Sequence, residues 1–235
     1  MHLISVLLLQ ATDTAVKAVT QAATPTPEKI SLFHLLREGG LLMIPLLLCS
    51  LILVYVFVER LLVIKKAGAV DEKFIMRIRE QMVHRNLEGA KGVCRTSNTP
   101  VGHIIEKGLN LIDKPYDFVE KSMENTGKLE VYKLERNLTI LSTIAGIAPI
   151  FGFLGTIAGM IILFFNVQHQ GFSLETIAGG IYTKMVTSAV GLIIGLLAYV
   201  GHAYLNAQIN KNVNRMEAAS VEFLDIVMEI TPVRQ

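Results

Sequence analysis

The sequence holds 235 residues, 51% hydrophobic and 18% charged, and its 22 Lys and Arg nearly balance its 20 Asp and Glu. This is not the composition of a soluble domain, and nucleic-acid binding has no electrostatic basis because no basic block stands apart from acidic residues. The six His and two Cys (Cys49 and Cys94) follow no metal-ligand spacing, and the sequence has no nucleophile elbow or phosphate loop. We therefore expect no metal site, no cofactor and no enzymatic activity.

Residues 1–40 are predicted to form a tail outside the cytoplasm. They begin with an apolar stretch, MHLISVLLL, which is short for a signal peptide and has no Lys or Arg before it. We favour an uncleaved tail, with removal of residues 1–24 as the alternative. Ser31 is placed to cap a short amphipathic helix, SLFHLLRE, which would lie on the membrane surface.

The first transmembrane helix is predicted at residues 41–64. Its uncharged part, LLMIPLLLCSLILVYVFV, has 18 residues, close to the roughly 20 that cross about 30 Å of hydrocarbon. Leu and Val occupy all sides of this helix, so we expect it to face lipid.

Residues 65–137 form a polar segment with 14 Lys and Arg and 11 Asp and Glu, in which apolar residues recur at helical spacing. One predicted helical face comprises Phe74, Ile75, Ile78, Met82 and Val83. Breaks are predicted at TSNTPVG and at Asp113–Pro115. After the second break, a helix is expected to run from Tyr116 without interruption into the second span.

Two further spans are predicted at residues 138–165 and 177–205, joined by a loop at 166–176. Arg136 and Glu175 bracket 38 residues without Asp, Glu, Lys or Arg. The sequence thus predicts an all-α membrane protein with three transmembrane helices and long cytoplasmic helical extensions.

The orientation follows from the cations near the span ends. The 166–176 loop has no Lys or Arg, whereas cations adjoin the spans in the 65–137 segment and in the predicted C-terminal helix, residues 206–235. The positive-inside rule therefore places the N-terminus in the periplasm and the C-terminus in the cytoplasm.

Small and polar residues form a stripe on each of the last two spans. The stripe of span two comprises Ser142, Ala145, Pro149, Gly152, Thr156 and Gly159, and that of span three comprises Gly180, Lys184, Ser188, Gly191, Gly195 and Ala198. One interpretation is close helix packing through Gly152, Gly155, Gly159, Gly191 and Gly195. The other is an ion pathway lined by Thr156, Ser188, Thr183, Thr187, Lys184 and Ser142.

Lys184 is poorly explained by packing, because a Lys near a span centre costs about 2.5–3.5 kcal/mol on insertion scales. It either extends toward the outer interface or faces water or a partner carboxylate within an assembly. No span has an Asp or Glu near its centre. If protons cross the membrane here, a partner must supply the titrating group.

The segments AGIAPIFGFLGTIAGMI (145–161) and ETIAGGIYTKMVTSAVGLIIGLLAYVGHAYLN (175–206) resemble the pore helices of the MotA/TolQ/ExbB proton-channel family. The order of spans and cytoplasmic segment is similar to ExbB and TolQ. The resemblance implies a pentamer in the bacterial inner membrane that encloses one helix from each of two ExbD- or TolR-like partners. A partner Asp would carry the ion, H⁺ or alternatively Na⁺, and the motion would drive a TonB-like protein.

The resemblance also implies roles for single residues. Thr156 and Ser188 match the family's pore hydroxyls, although span three usually has Thr in place of Ser188. Thr183 stands where ExbB proteins usually carry Glu. The alternatives to an ExbB-like ion-channel subunit are a non-conducting scaffold that anchors a partner and a TolQ-like subunit that serves envelope integrity.

Overall fold

The computed structural model describes residues 43–69, 71, 73–171 and 174–230. Over these residues the chain is helical, with no strand. The helices are α1 (Met43–Ala67), α2 (Phe74–Val83), α3 (Leu87–Ser97), α4 (Pro100–Leu109), α5 (Tyr116–Glu135), α6 (Leu138–Gln170) and α7 (Leu174–Ile230). The tail and surface helix predicted within residues 1–40 lie outside the described residues.

Three stretches are long and apolar enough to cross a membrane. They are Met43–Ala67, which is α1, Tyr116–His169, which comprises α5 and α6, and Ile177–Glu229 within α7. At 1.5 Å per residue the 57 residues of α7 extend about 85 Å, far beyond the hydrocarbon layer. The predicted fold class, an all-α membrane protein with three transmembrane helices, is confirmed.

The helix that precedes the second span is interrupted, so the prediction of an unbroken helix from Tyr116 is wrong at one point. α5 ends at Glu135 and α6 begins at Leu138, with Asn137 in the left-handed conformation at φ 65°. Asn is one of the few residues that tolerate this conformation. Arg60 of α1, which is buried, donates a hydrogen bond of 3.4 Å to the carbonyl of Lys133 in the last turn of α5.

The end of α1 is held by the part of α7 that continues beyond the span. Asn212, a buried residue, donates from Nδ2 to the carbonyl oxygen of Ile64 at 3.0 Å. Arg215 donates to the carbonyl of Gly68, also at 3.0 Å. The Ile64 carbonyl also accepts from the N–H of Gly68 at 3.1 Å, so Asn212 adds a second hydrogen bond to it, while Arg215 binds the carbonyl just past the end of the helix.

Helices α2–α5 and the part of α7 after residue 205 pack together as an extramembrane bundle. Its largest fully buried side chain is Phe223 of α7, which lies beside Gly108 of α4 and next to Met123 of α5. A Cβ on Gly108 would lie 2.6 Å from both neighbours, so only glycine lets α4 approach this closely. Burial raises the pKa of the Cys94 thiol in this bundle to about 12, which makes it unreactive.

The predicted breaks in the extramembrane bundle match the helix boundaries. Asn98 ends α3 in the left-handed conformation, and Thr99 accepts a hydrogen bond from the N–H of Gly102 as the N-cap of α4. The predicted apolar face of α2 is buried at Phe74, Ile78 and Met82. Val83 is exposed instead, because it is the last residue of its helix.

Candidate functional site

The small-residue stripes of α6 and α7 lie against each other as the two helices run antiparallel. A Cβ placed on Gly191 would lie 2.7 Å from the carbonyl oxygen of Ala148 and 2.8 Å from the Cα of Gly152. A Cβ placed on Gly195 would lie 2.5 Å from the side chain of Pro149. Because the nearest atoms are largely backbone, neither glycine can be enlarged without moving a helix.

The same register continues toward the outer end of α6. A Cβ on Gly159 would overlap the aliphatic stem of Lys184, and one on Gly180 would lie 2.6 Å from Leu163. Gly155 lies between Gly152 and Gly159 on α6 and is also buried. The glycines of both stripes are therefore used in packing within one chain, and their contacts close the space between α6 and α7 over the described part of this interface.

Three of the hydroxyl residues predicted for the ion pathway lie at one level of this interface. The backbone of Ser188 on α7 contacts Gly152, which lies one helical turn before Thr156 on α6. Because Gly152 pairs with Gly191 and the helices are antiparallel, Thr187 lies level with Thr156. Thr187 is 1% exposed, whereas Thr156 and Ser188 are half-buried at the border of the interface. Thr156 donates its hydroxyl proton to the carbonyl of Phe153 at 2.7 Å, which leaves its oxygen lone pairs available as acceptors.

Lys184 joins this level from α7. Its side chain is half-buried, and its methylene stem lies on Gly159, three residues beyond Thr156. Lys184 and Ser188 are one turn apart on α7, on the same face. Thr156, Thr187, Ser188 and Lys184 are hereafter the mid-span polar cluster.

Two residues predicted for the ion pathway do not belong to this cluster as the structure describes it. Ser142 is exposed and lies fourteen residues before Thr156, about 21 Å along α6. The side chain of Thr183 lies outside the described part of the structure. The structure therefore brings together four of the six predicted residues.

An open groove on α6 adjoins the mid-span polar cluster and was not anticipated from the sequence. It has a volume of about 590 Å³ and is lined by Thr156, Ile157, Met160, Ile161, Phe164, Phe165 and Gln168. Thr156 and Gln168 supply its polar side chains. The recurrence of Thr156, Met160, Phe164 and Gln168 at every fourth position is the signal by which the sequence could have revealed this face.

The sequence of the described helices matches one family over more than half of the chain. The family model of the MotA/TolQ/ExbB proton channel family matches residues 96–218, from the end of α3 through about half of the extramembrane part of α7. The chain belongs to this family. The match contains the whole mid-span polar cluster and helices α4 and α5 of the extramembrane bundle. It confirms the resemblance that the two pore-helix segments indicated.

Individual relatives extend the similarity toward the N-terminus. The ExbB1 biopolymer transport protein of Vibrio cholerae is 25% identical over 195 residues, which cover 80% of this chain and 84% of the relative. An ExbB homolog of Methanothermobacter thermautotrophicus is 24% identical over 194 residues, 80% of this chain and 67% of the relative. An ExbB-like protein of Synechocystis is 26% identical over 179 residues, 74% and 69% of the two chains. An ExbB-like biopolymer transport role is the one that these relatives support.

Proposed function

We propose that this chain is the channel-forming subunit of an ion-driven motor of the ExbB type in the bacterial inner membrane. The observation that carries the proposal is the mid-span polar cluster, in which the hydroxyls of Thr156 and Ser188 lie half-buried at one level of two otherwise apolar spans. Membership of the proton channel family supports the same conclusion. In this proposal the N-terminus is periplasmic and the C-terminus cytoplasmic, as the cation distribution favours.

The ion pathway would form between chains, because the contact of Gly152 with Gly191 closes the space between α6 and α7 of one chain. Several copies, a homopentamer in this proposal, would surround a central space with Thr156 and Ser188 at its lining. Thr183 and Ser142 are the further lining residues of the proposal, whereas Thr187, which is buried between α6 and α7, lies directly behind the lining. Large apolar side chains exposed on all three spans are suited to contacts with lipid and with neighbouring copies.

An acid must come from elsewhere, since residues 137–174 hold no Asp or Glu and Thr183 stands at the position where the family resemblance implies Glu. We propose that an ExbD- or TolR-like protein with one membrane span supplies an Asp beside the mid-span polar cluster. One charge that falls through 100 mV releases about 2.3 kcal/mol, which would turn the partner against this chain and energise a TonB-like protein. H⁺ is the proposed ion, with Na⁺ as the alternative.

Ion flux into vesicles that contain the chain and its one-span partner tests the proposal. We expect Thr156→Val combined with Ser188→Ala to abolish most of the flux and the energised transport, because the polar lining at mid-span is removed. Thr143→Val is the matched control: Thr143 is an exposed residue of α6 whose hydroxyl donates to the carbonyl of Thr139. Undiminished flux in the double variant would show that these hydroxyls do not line the path.

A non-conducting scaffold is the second candidate, favoured by the glycine contacts themselves, which would serve assembly as well as conduction. A scaffold requires Gly152 and Gly191 but has no use for hydroxyls at Thr156 and Ser188. The scaffold would be favoured if energised transport persisted while neither the unaltered chain nor any variant conducted ions. A TolQ-like role in envelope integrity differs from the leading proposal only in the protein that receives the motion.

A further inference from the structure

A second groove lies in the extramembrane bundle, between α5 and the part of α7 beyond the span. Its volume is about 660 Å³. Its floor is apolar and is built by Ile104, Met123, Val131, Met216 and Leu224. Gly127 of α5 leaves the groove open at its middle, since a Cβ there would meet only the Cδ1 of Ile104, at 3.6 Å.

The rim of this groove is acidic. Glu120, Glu124, Glu135 and Glu217 line it, against one cation, Lys128. Glu124 is paired with Lys121 and Lys128, whose hydrogen bonds hold the pKa of its carboxyl at about 2, so it remains ionised at any cytoplasmic pH. The other three glutamates form no ion pair with any residue that the structure describes. The rim thus carries a net negative charge, with four carboxylates against Lys128 and with Lys121, which pairs with Glu124 and also attracts Glu120, as a second cation nearby.

Glu135 adds negative charge to the rim at the membrane end of the groove. It is the last residue of α5, where the helix dipole favours Lys, Arg or His and disfavours a carboxylate. Lys133 in the same last turn and the buried guanidinium of Arg60, which binds the Lys133 carbonyl, partly offset this effect. A cationic ligand in the groove would add a further favourable charge beside Glu135.

The position of the groove restricts where its occupant comes from. Glu135 lies three residues before the first residue of α6, hence beside the membrane, and Glu120 lies fifteen residues further away, about 22 Å along α5. The groove therefore opens at the membrane end of the bundle. A chain that leaves the membrane next to α6 could enter it directly as a helix of about 15 residues.

We propose that this groove binds the basic, apolar segment that flanks the membrane span of the one-span partner on its cytoplasmic side. The inference rests on the proposed function, which supplies the partner and the orientation of the chain. Segments next to spans on the cytoplasmic side are enriched in Lys and Arg, so their charge complements the rim. The apolar floor accepts the apolar face of such a segment in the manner of a helix in a groove.

Photocrosslinking in the full chain tests this inference, with an ExbD-type one-span protein co-expressed as the probe. Tyr132 lines the groove and is 73% exposed, and it is replaced by p-benzoylphenylalanine. Tyr116 is the matched position, since it is an exposed tyrosine of the same helix outside the groove. We expect crosslinks to the partner's cytoplasmic segment from position 132 and none from position 116.

Two sets of variants in the same crosslinking assay separate charge from shape. Glu120→Lys with Glu217→Lys should lower the crosslink yield by about fivefold or more, while Glu222→Lys, an exposed position of α7 outside the groove, should leave it unchanged. Gly127→Leu should block the groove while it raises helix propensity. Gly92→Leu is its control, because nothing lies within 4 Å of a Cβ at Gly92.

The possible results distinguish this inference from the proposed function. If the partner copurifies with the chain but its crosslinks survive Gly127→Leu and the charge reversals, the groove is not its site, and the proposed function stands. Crosslinks that join two copies of this chain would assign the groove to oligomer contact and overturn the inference. If no one-span protein copurifies with the unaltered chain, the proposed function itself fails.

Discussion

Lys184 is the one cation that the sequence places between Arg136 and Lys211. Its methylene stem replaces the missing side chain of Gly159, so the apolar part of Lys184 is packed against α6. The packing accounts for the stem but not for the ammonium group, which forms no ion pair within the described residues. The charge is therefore the part of Lys184 that a purely structural role leaves unexplained.

Lys184→Met separates the charge from the stem, because Met preserves an unbranched chain against Gly159. Two unit charges about 8 Å apart at an effective dielectric constant of 20 interact by about 2 kcal/mol, enough to change a rate by tenfold or more. We expect Lys184→Met to change ion flux, or copurification of the one-span partner, by about tenfold. Lys65→Met, an exposed position at the end of α1, should leave both unchanged. Equal and small effects would indicate that Lys184 only extends to the interface.

The polarity of this site could be predicted from the sequence, but its partners could not. Spacings of three and four residues identify Thr156, Ser188 and Lys184 as members of helical stripes. The contact between Lys184 and Gly159 depends on the register between two helices, which spacing within either one does not determine. For the same reason, Ser142 belongs to the stripe of α6 but lies outside the mid-span polar cluster.

At the scale of helices, the contact between α6 and α7 depends on glycine at its closest points. Gly191→Ala would bring a methyl group within 2.7 Å of the carbonyl of Ala148, and we expect a loss of about 1–3 kcal/mol in the free energy of unfolding. Gly146→Ala is the control on α6, because nothing lies within 4 Å of its Cβ, and it should be neutral or stabilising. Unfolding in detergent micelles followed by circular dichroism measures both. A tolerated Gly191→Ala would contradict the close approach.

The connection between α1 and α7 allows a second test at this scale. Asn212→Ala removes the hydrogen bond from Asn212 to the carbonyl of Ile64, which keeps its bond from the N–H of Gly68, and we expect a cost of about 0.5–1.5 kcal/mol. Asn214→Ala, an exposed position on the same helix, should change the unfolding free energy by less than about 0.5 kcal/mol. The same detergent unfolding measurement applies. Similar behaviour of the two variants would mean that Asn212 does not fasten α1.

The helix that precedes span two shows where pattern analysis fails. Apolar periodicity and the lack of a strong stop signal other than Gly127 predict one helix from Tyr116 onward, yet Asn137 interrupts it with a positive φ. A single left-handed residue leaves no trace in the periodicity of its neighbours. Arg60, which binds the carbonyl of Lys133 beside this break, is remote in sequence, so their contact could be found only in the folded chain.

For the whole molecule, the three spans could be predicted from hydropathy because a membrane demands long apolar helices. For the extramembrane bundle, the sequence predicts the helices but not their arrangement. The reason is that its core joins α4 and α5 to the far end of α7, which is distant in sequence. One helix, α7, thus contributes both to the mid-span polar cluster and to the acidic groove. A displacement of α7 along its axis would be transmitted between the two sites, because the helix is continuous.

Phe223→Ala tests how far the extramembrane bundle depends on that helix. Phe223 is fully buried against Gly108 and Met123, so we expect its truncation to cost about 3–5 kcal/mol in the stability of the bundle. Phe118→Ala, at a residue 54% exposed, should change stability by less than about 0.5 kcal/mol. Limited proteolysis in membranes should cleave the Phe223→Ala protein within α2–α5 while α1 and α6 remain protected by lipid. If Phe223→Ala instead removed the protein from the membrane, the spans would depend on the bundle for insertion, and the two parts would fold as one unit.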